Sequence, residues 1–357
     1  MFSLRKLQAL VYGQQDELDI VQQQLRASDV PVTSADCRSC PNPCDQGHDG
    51  YPARFTIDTD SQMLGSVKPY RRQVFISTGK SDWDREISET EGSLAALLVD
   101  VQNSDALKTS PLPQANGKAI RPTTSGIFRS VDSTRISILN GSHHSLSCKD
   151  DRDTVLVFPD YKLVSEVHRT KDGAQTLWEA ALDPGVGRTG AILEKSSLKS
   201  WVIPYACVVL LCSHKRRDNR CAIAAPKLEH AFTQYLEGFG WHVDTDVDAS
   251  TLHDAPPLED LDAAIDDMEF QYEELLRQSS SSKRVLIVRS SHVGGHKYAG
   301  NCIIYTPQGS CVWYGRVSPH EVESIVVNTI MDGLVLPPLL RGGLNLSRPG
   351  CKTLHDW

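Results

Sequence analysis

The apolar residues of this chain fall in short unbroken runs that stop at polar turns, and this pattern restricts the fold more than any other feature. Val74-Phe75-Ile76 runs into Ser77-Thr78-Gly79. Val208-Val209-Leu210-Leu211 runs into Cys212-Ser213-His214, and Val285-Leu286-Ile287-Val288 runs into Arg289-Ser290-Ser291-His292. Runs this short do not make a buried helix, and they lack the polar alternation of a half-exposed strand. They read as strands covered on both faces. Strands covered on both faces need helices to cover them, which points to an α/β class with a mixed α+β sheet. No stretch approaches the ~20 apolar residues that cross a bilayer.

The remaining elements follow from turn and cap signals. Residues 154–158 read as a further buried strand, 205–212, 241–247 and 284–288 as strands, and 302–305 with 311–314 as a hairpin around Thr306-Pro307-Gln308-Gly309-Ser310. Helices are expected over 1–30, 88–101, 168–182, 226–239, 258–277 and 318–331. Pro226 is placed in the first turn of its helix, where a missing N–H is harmless. Residues 104–124 read as a polar loop. A length of 357 residues suits two domains. The Gly-, Ser- and Lys-rich stretch 183–200 is the boundary, dividing the chain into an N-terminal helix or tail (1–34), an N-terminal α/β domain with a cysteine cluster (35–195), a second domain (200–340) and a C-terminal tail (341–357).

Composition narrows the function. With 40% hydrophobic residues the chain can build real cores, so its ten cysteines are not needed as staples. The N-terminus has no secretory h-region, and thiols in such a chain read as metal or redox groups mixed with buried ones. A formal net charge of −8 argues against nucleic-acid binding, which requires basic patches to displace counterions. A cytoplasmic location is expected, with a mitochondrial one as the alternative because Arg5 and Lys6 open the chain.

Two strand ends carry the chemistry. Cys212 closes one run, and Cys221 follows with eight residues between them, just before a helix whose N-terminus favours a thiolate. His292 and His296 follow the other run, with Gly294-Gly295 between them to allow positive φ or a close approach. Two Cys and two His suit a tetrahedral zinc ion or an iron–sulfur cluster. An ordinary zinc finger spaces its cysteines by two to four residues, so the wider gap leans toward the cluster. Unconnected buried cysteines and solvated histidines are the plain alternative.

The segment Leu211-Cys212-Ser213-His214 through Cys221, with His292-Val293-Gly294-Gly295-His296-Lys297-Tyr298-Ala299-Gly300-Asn301, resembles the sucrase/ferredoxin-like family. Phe75-Ile76-Ser77-Thr78-Gly79-Lys80-Ser81-Asp82-Trp83 and the 37–44 cysteines extend the likeness from about residue 35 to the end. The resemblance implies a C-terminal thioredoxin-like ferredoxin domain, preceded by an α/β domain for which a second thioredoxin-like unit is an option. It further implies a [2Fe–2S] cluster on Cys212, Cys221, His292 and His296, and electron transfer to an unidentified redox partner protein. Neutral imidazoles in place of two thiolates would raise the reduction potential and allow proton coupling. A zinc-binding structural or interaction protein with the same ligands is the alternative. No carboxylate pair is placed for sugar hydrolysis.

Other motifs stay secondary. Cys37, Cys40 and Cys44, with His48, have metal-like spacing and would serve as a zinc site, a second cluster site or a thiol oxidoreductase motif. Gly185-Val186-Gly187-Arg188-Thr189-Gly190 matches a dinucleotide pattern but follows a helical stretch and Pro184, so it reads as a linker without bound NAD or FAD. Cys207, Cys302 and Cys311 read as core. The closing Asp356-Trp357 resembles the tail by which clients dock on the cytosolic iron–sulfur targeting complex.

Overall fold

The computed structural model describes residues 18–35, 50–106, 124–252, 256–261 and 265–357. The expected mixed α/β architecture is present as one twelve-stranded sheet. Its strands are β1 (Arg72–Ser77), β2 (Ile127–Phe128), β3 (Ile136–Gly141), β4 (Arg152–Phe158), β5 (Lys162–His168), β6 (Lys199–Val202), β7 (Cys207–Cys212), β8 (His242–Asp244), β9 (Arg284–Ser290), β10 (Cys302–Tyr305), β11 (Cys311–Tyr314) and β12 (Leu340–Leu344). The order across the sheet is β2-β12-β11-β10-β7-β9-β3-β1-β4-β5-β6, with β8 also paired to β9. The helices are α1 (described over 18–27), α2 (Leu94–Ala106), α3 (Lys171–Leu177), α4 (Asn219–Gly238), α5 (Ile265–Ser281) and α6 (Val322–Ile325).

The unbroken runs are buried on both faces, as their composition requires. Val209, Leu211, Val285, Ile287 and Ile304 pack under α4 and α6. Val74, Ile76, Val155 and Val157 pack under α2 and α3. Phe75, Leu156, Phe158, Val208, Leu210, Leu286, Tyr305 and Trp313 meet in one core on the other face. There Phe158 of the first half stacks on Tyr305 of the second at 4.2 Å between ring centroids.

The two halves share a plan. β1 runs parallel to β3 and antiparallel to β4, and β7 runs parallel to β9 and antiparallel to β10. They meet where Gly141 pairs antiparallel with Ser290, and again at the sheet edge where β2 pairs parallel with β12. Around the Gly141–Ser290 pair the hydrogen bonds are reciprocal. Ser142 N donates to Arg289 O and Ser291 N to Asn140 O, both at 2.9 Å. Asn140 N donates to Ser291 Oγ and Arg289 N to Ser142 Oγ, both at 3.0 Å. A local two-fold relation results, in which Ser77 occupies the position matching Cys212 and His143 the one matching His292.

Several expected elements shift. α4 begins seven residues before Pro226 because Asp218 caps it, accepting from Arg220 N, so Pro226 lies in the helix interior. α2 begins at Leu94 rather than 88, after a 3₁₀ turn at Ile87–Glu89. The acidic stretch splits into a 3₁₀ turn, Leu258–Asp260, and α5. The helix after Ser318 starts with a Ser318–Glu321 capping box and ends in π-type turns, Val326–Met331. The hairpin spans 302–305 and 311–314 as read. The segment from 341 opens inside β12, a buried strand.

Candidate metal centre

β7 and β9 are adjacent and parallel, with Cys212 opposite Ser290. Their C-terminal ends therefore deliver the 212 and 292 loops to one place. Cys212 is the last residue of β7, Cys221 the third residue of α4, and His292 lies two residues beyond β9. Their ligand atoms all lie within 4.8 Å of one another. Cys212 Sγ is 3.9 Å from His292 Nδ1. His296 opens the 3₁₀ turn His296–Tyr298 and is exposed; its ring centroid is 5.5 Å from that of His292. The structure thus brings Cys212, Cys221 and His292 together and sets His296 beside His292 at the rim.

Both thiols are buried, and two thiolates this close oppose each other. A hydrogen bond from Cys221 holds the Cys212 thiol well below its ordinary range, against the effect of burial, with help from His292 and the backbone at Val293. The same bond and burial hold Cys221 well above that range. Such a donor set, two cysteine sulfurs with an imidazole nitrogen facing them, suits a soft or borderline cation. In the matching position of the other half stands Ser77, which supplies no thiol.

Residues not anticipated from the sequence support this group. His214 is buried under the 292 loop; its Nδ1 accepts from His292 N at 3.2 Å, so Nε2 carries the proton and donates to Trp83 O at 2.9 Å. Arg341, 1% exposed, donates to Gly294 O at 3.1 Å and to Asn301 Oδ1 at 2.6 Å. Burial pushes Arg341 down to about 10, against the attraction of Cys212, Tyr298 and Cys221. Gly295 takes φ 68°, and a Cβ there would lie 2.2 Å from Arg341 NH2. Both reasons for glycine at this turn therefore apply, positive φ and close approach. His214 was visible in the Cys212 motif; Arg341 lies in a stretch that reads as tail.

The other singled-out residues lie elsewhere. Cys37, Cys40, Cys44 and His48 are outside the described residues. Cys207, Cys302 and Cys311 are buried in the core, with burial pushing Cys311 up to about 12 and the other two higher. Asp356 accepts from Lys352 N and Thr353 N, and Trp357 lies under the Arg277 guanidinium at 4.5 Å. No helix among the described residues is long and apolar enough to cross a membrane.

Sequence comparison bears on this geometry. The sucrase/ferredoxin-like family profile matches residues 63–342, which takes in β1 through β11, the start of β12 and the whole Cys/His group. The chain belongs to the sucrase/ferredoxin-like family. It is similar to actin patches distal protein 1 of Saccharomyces cerevisiae, 24% identical over 309 residues covering 84% of this chain and 82% of that protein. It is also similar to altered inheritance of mitochondria protein 32 of Meyerozyma guilliermondii, 30% identical over 39% of this chain and 35% of that one. The same-named protein of Clavispora lusitaniae is 32% identical over 38% and 34%. The match thus spans about a third of the length of these last two relatives. No solved structure matches.

Proposed function

We propose that this protein is an electron carrier whose [2Fe–2S] cluster is held by Cys212, Cys221, His292 and His296. The observation that carries the reading is the convergence of Cys212, Cys221 and His292 within 4.8 Å, in a member of a ferredoxin-like family. When bound, the cluster supplies a one-electron redox couple. The chain's own residues do the rest. Cys212 and Cys221 offer buried sulfur ligands, while the exposed His296 ring stands where a ring nitrogen can exchange a proton with solvent. His214 and Arg341 fix the backbone that presents the histidines. The parallel β7–β9 pair, the antiparallel β10 and β11 and the intervening α4 support a thioredoxin-like reading of 200–340.

The same three ligand atoms, within 4.8 Å of one another, would also fit around a single zinc ion, which is the second reading. Anaerobic purification separates the two. A coloured protein with iron and acid-labile sulfide supports the cluster; a colourless one with one bound zinc overturns it. In the cluster case, His292→Cys and His296→Cys should keep the iron and lower the reduction potential, because each adds a negative ligand. We further infer a cytoplasmic location, which imaging of the tagged protein against a mitochondrial marker would check.

A further inference from the structure

At the end of the sheet opposite Cys212, the β4–β5 turn, the β10–β11 turn and the 183–190 segment enclose a cleft of about 160 Å³. Arg71, Asp160, Arg188 and Gln308 are among its walls. Arg72 and Lys162 stand behind them, both buried. Asp160 is committed to Arg72, with Nε to Oδ2 at 2.6 Å. The other cations meet neutral groups. Arg188 donates Nε to Asp160 O at 3.1 Å and NH2 to Pro159 O and Pro307 O. Lys162 donates to Thr189 O and lies 5.6 Å from the centre of the Tyr272 ring. Arg71 has one long contact, 3.5 Å to Ser130 Oγ, and its buried Nε has no partner among the described residues. Gln308 Oε1 is buried and unpartnered in the same sense.

Neutral carbonyls orient a guanidinium but do not neutralise it, and an uncompensated charge in a partly buried site is unfavourable. Arg71, Arg72, Arg188 and Lys162 gather around Asp160, the carboxylate that lines the cleft. Burial, partly offset by Asp160 and Glu259, pushes Lys162 down to about 8. The glycine-rich segment has a part in this. Arg72 binds the carbonyls of Asp183, Val186 and Gly187, so the loop turns acceptors inward and projects Arg188 at the cleft. Dinucleotide loops do the reverse and present N–H groups to phosphate.

We propose that this cleft binds a small oxyanion that keeps one acid proton or hydroxyl, of the hydrogen phosphate or phosphate monoester type. Arg71 and Arg188 donate to its charged oxygens, and Gln308 Oε1 accepts from its O–H. A planar carboxylate without a hydroxyl leaves Gln308 unanswered and binds more weakly.

Calorimetric titration of the full chain with inorganic phosphate tests this, at constant ionic strength balanced with chloride. Acetate and glycerol phosphate serve as parallel probes. Saturable one-to-one binding of phosphate, weakened about tenfold or more by Arg71→Gln, supports the site. Gln308→Leu should remove the preference over acetate, and it decides the matter should Arg71→Gln fail to fold by circular dichroism. Glycerol phosphate binding as tightly as phosphate identifies a monoester as occupant; phosphate alone identifies the free ion. Absence of saturable phosphate binding to the wild type, or equal binding by folded Arg71→Gln, overturns the proposal.

Discussion

Arg341 holds a charge in the interior beside two thiols, and among the described residues it meets no carboxylate. Its partners are Ser66 Oγ, Gly294 O and Asn301 Oδ1, with the Tyr298 and Trp313 rings 5.6 and 5.8 Å away. Hydrogen bonds to a charged donor are the stronger kind, so Arg341→Leu should destabilise the fold by about 3 kcal/mol in urea unfolding. Arg341→Lys, which lacks the planar fork, should recover only part of that loss. A small loss for Arg341→Leu would mean that the 292–296 turn holds itself. His143, the counterpart of His292, gives a prediction in pH. Unfolded, it titrates near 6.5; folded, burial holds it near 4. Between those values the unfolded chain binds a proton that the native one does not. The stabilisation from a neutral His143 is thus complete above pH 6.5 and declines as pH falls toward 4, by about 3 kcal/mol. Unfolding curves of His143→Leu across that window should show a shallower slope with pH than wild type. Neither residue announces its role in the sequence, because a buried Arg or His is identified by what surrounds it, and those neighbours lie far along the chain.

Elements were legible where one local signal dominated. Val208-Val209-Leu210-Leu211 is a buried strand from composition alone, and the 302–314 hairpin follows from its turn residues. β5 was hidden because Lys162, Ser165 and Glu166 interrupt its apolar pattern, with Glu166 at φ 61° beside an irregular register against β4. β12 was hidden because Arg341, Gly342 and Gly343 look like a turn. In the sheet the glycines are needed for close approach: a Cβ at Gly343 would lie 2.6 Å from Cys311 O. α4 shows how one strong signal misleads. Pro226 suggested a helix start, yet Asp218, eight residues before Pro226, caps the helix and pairs with Arg220 at 2.7 Å. Asp218→Ala should cost about 1 kcal/mol, while Asp218→Asn, still able to accept from Arg220 N, should cost less. Cys221 sits in that first turn, so, if the proposed metal site is filled, the two variants should also differ in metal retention on dilution into chelator. Equal retention would show that the cap does not position Cys221.

The molecule as a whole depends on a core that neither half encloses alone. Tyr70, Phe75, Leu156, Phe158 and Leu163 from the first half pack in one cluster with Val208, Leu210, Ile303, Tyr305 and Trp313 from the second. Hydrophobic burial scales with the apolar area removed from water, so separating the halves re-exposes aromatic surface on each. The central strand junction adds direction rather than bulk: one Gly141–Ser290 pair and four reciprocal bonds set the register there, while β2 pairs with β12 at the far edge. Cooperativity should therefore come from the shared core and survive damage to the junction. In the intact chain, urea unfolding followed by tryptophan fluorescence and by far-ultraviolet circular dichroism should coincide. Ser142→Ala with Ser291→Ala leaves the buried amides of Asn140 and Arg289 without those acceptors, which should lower the midpoint yet keep the two probes coincident. A fragment of residues 200–357 should instead bind a hydrophobic dye and unfold at lower urea than the same residues in the full chain. Should that fragment match the full chain in both respects, the shared core is not what joins the halves, and the Cys212–Cys221–His292 group stands on a unit that needs no partner half.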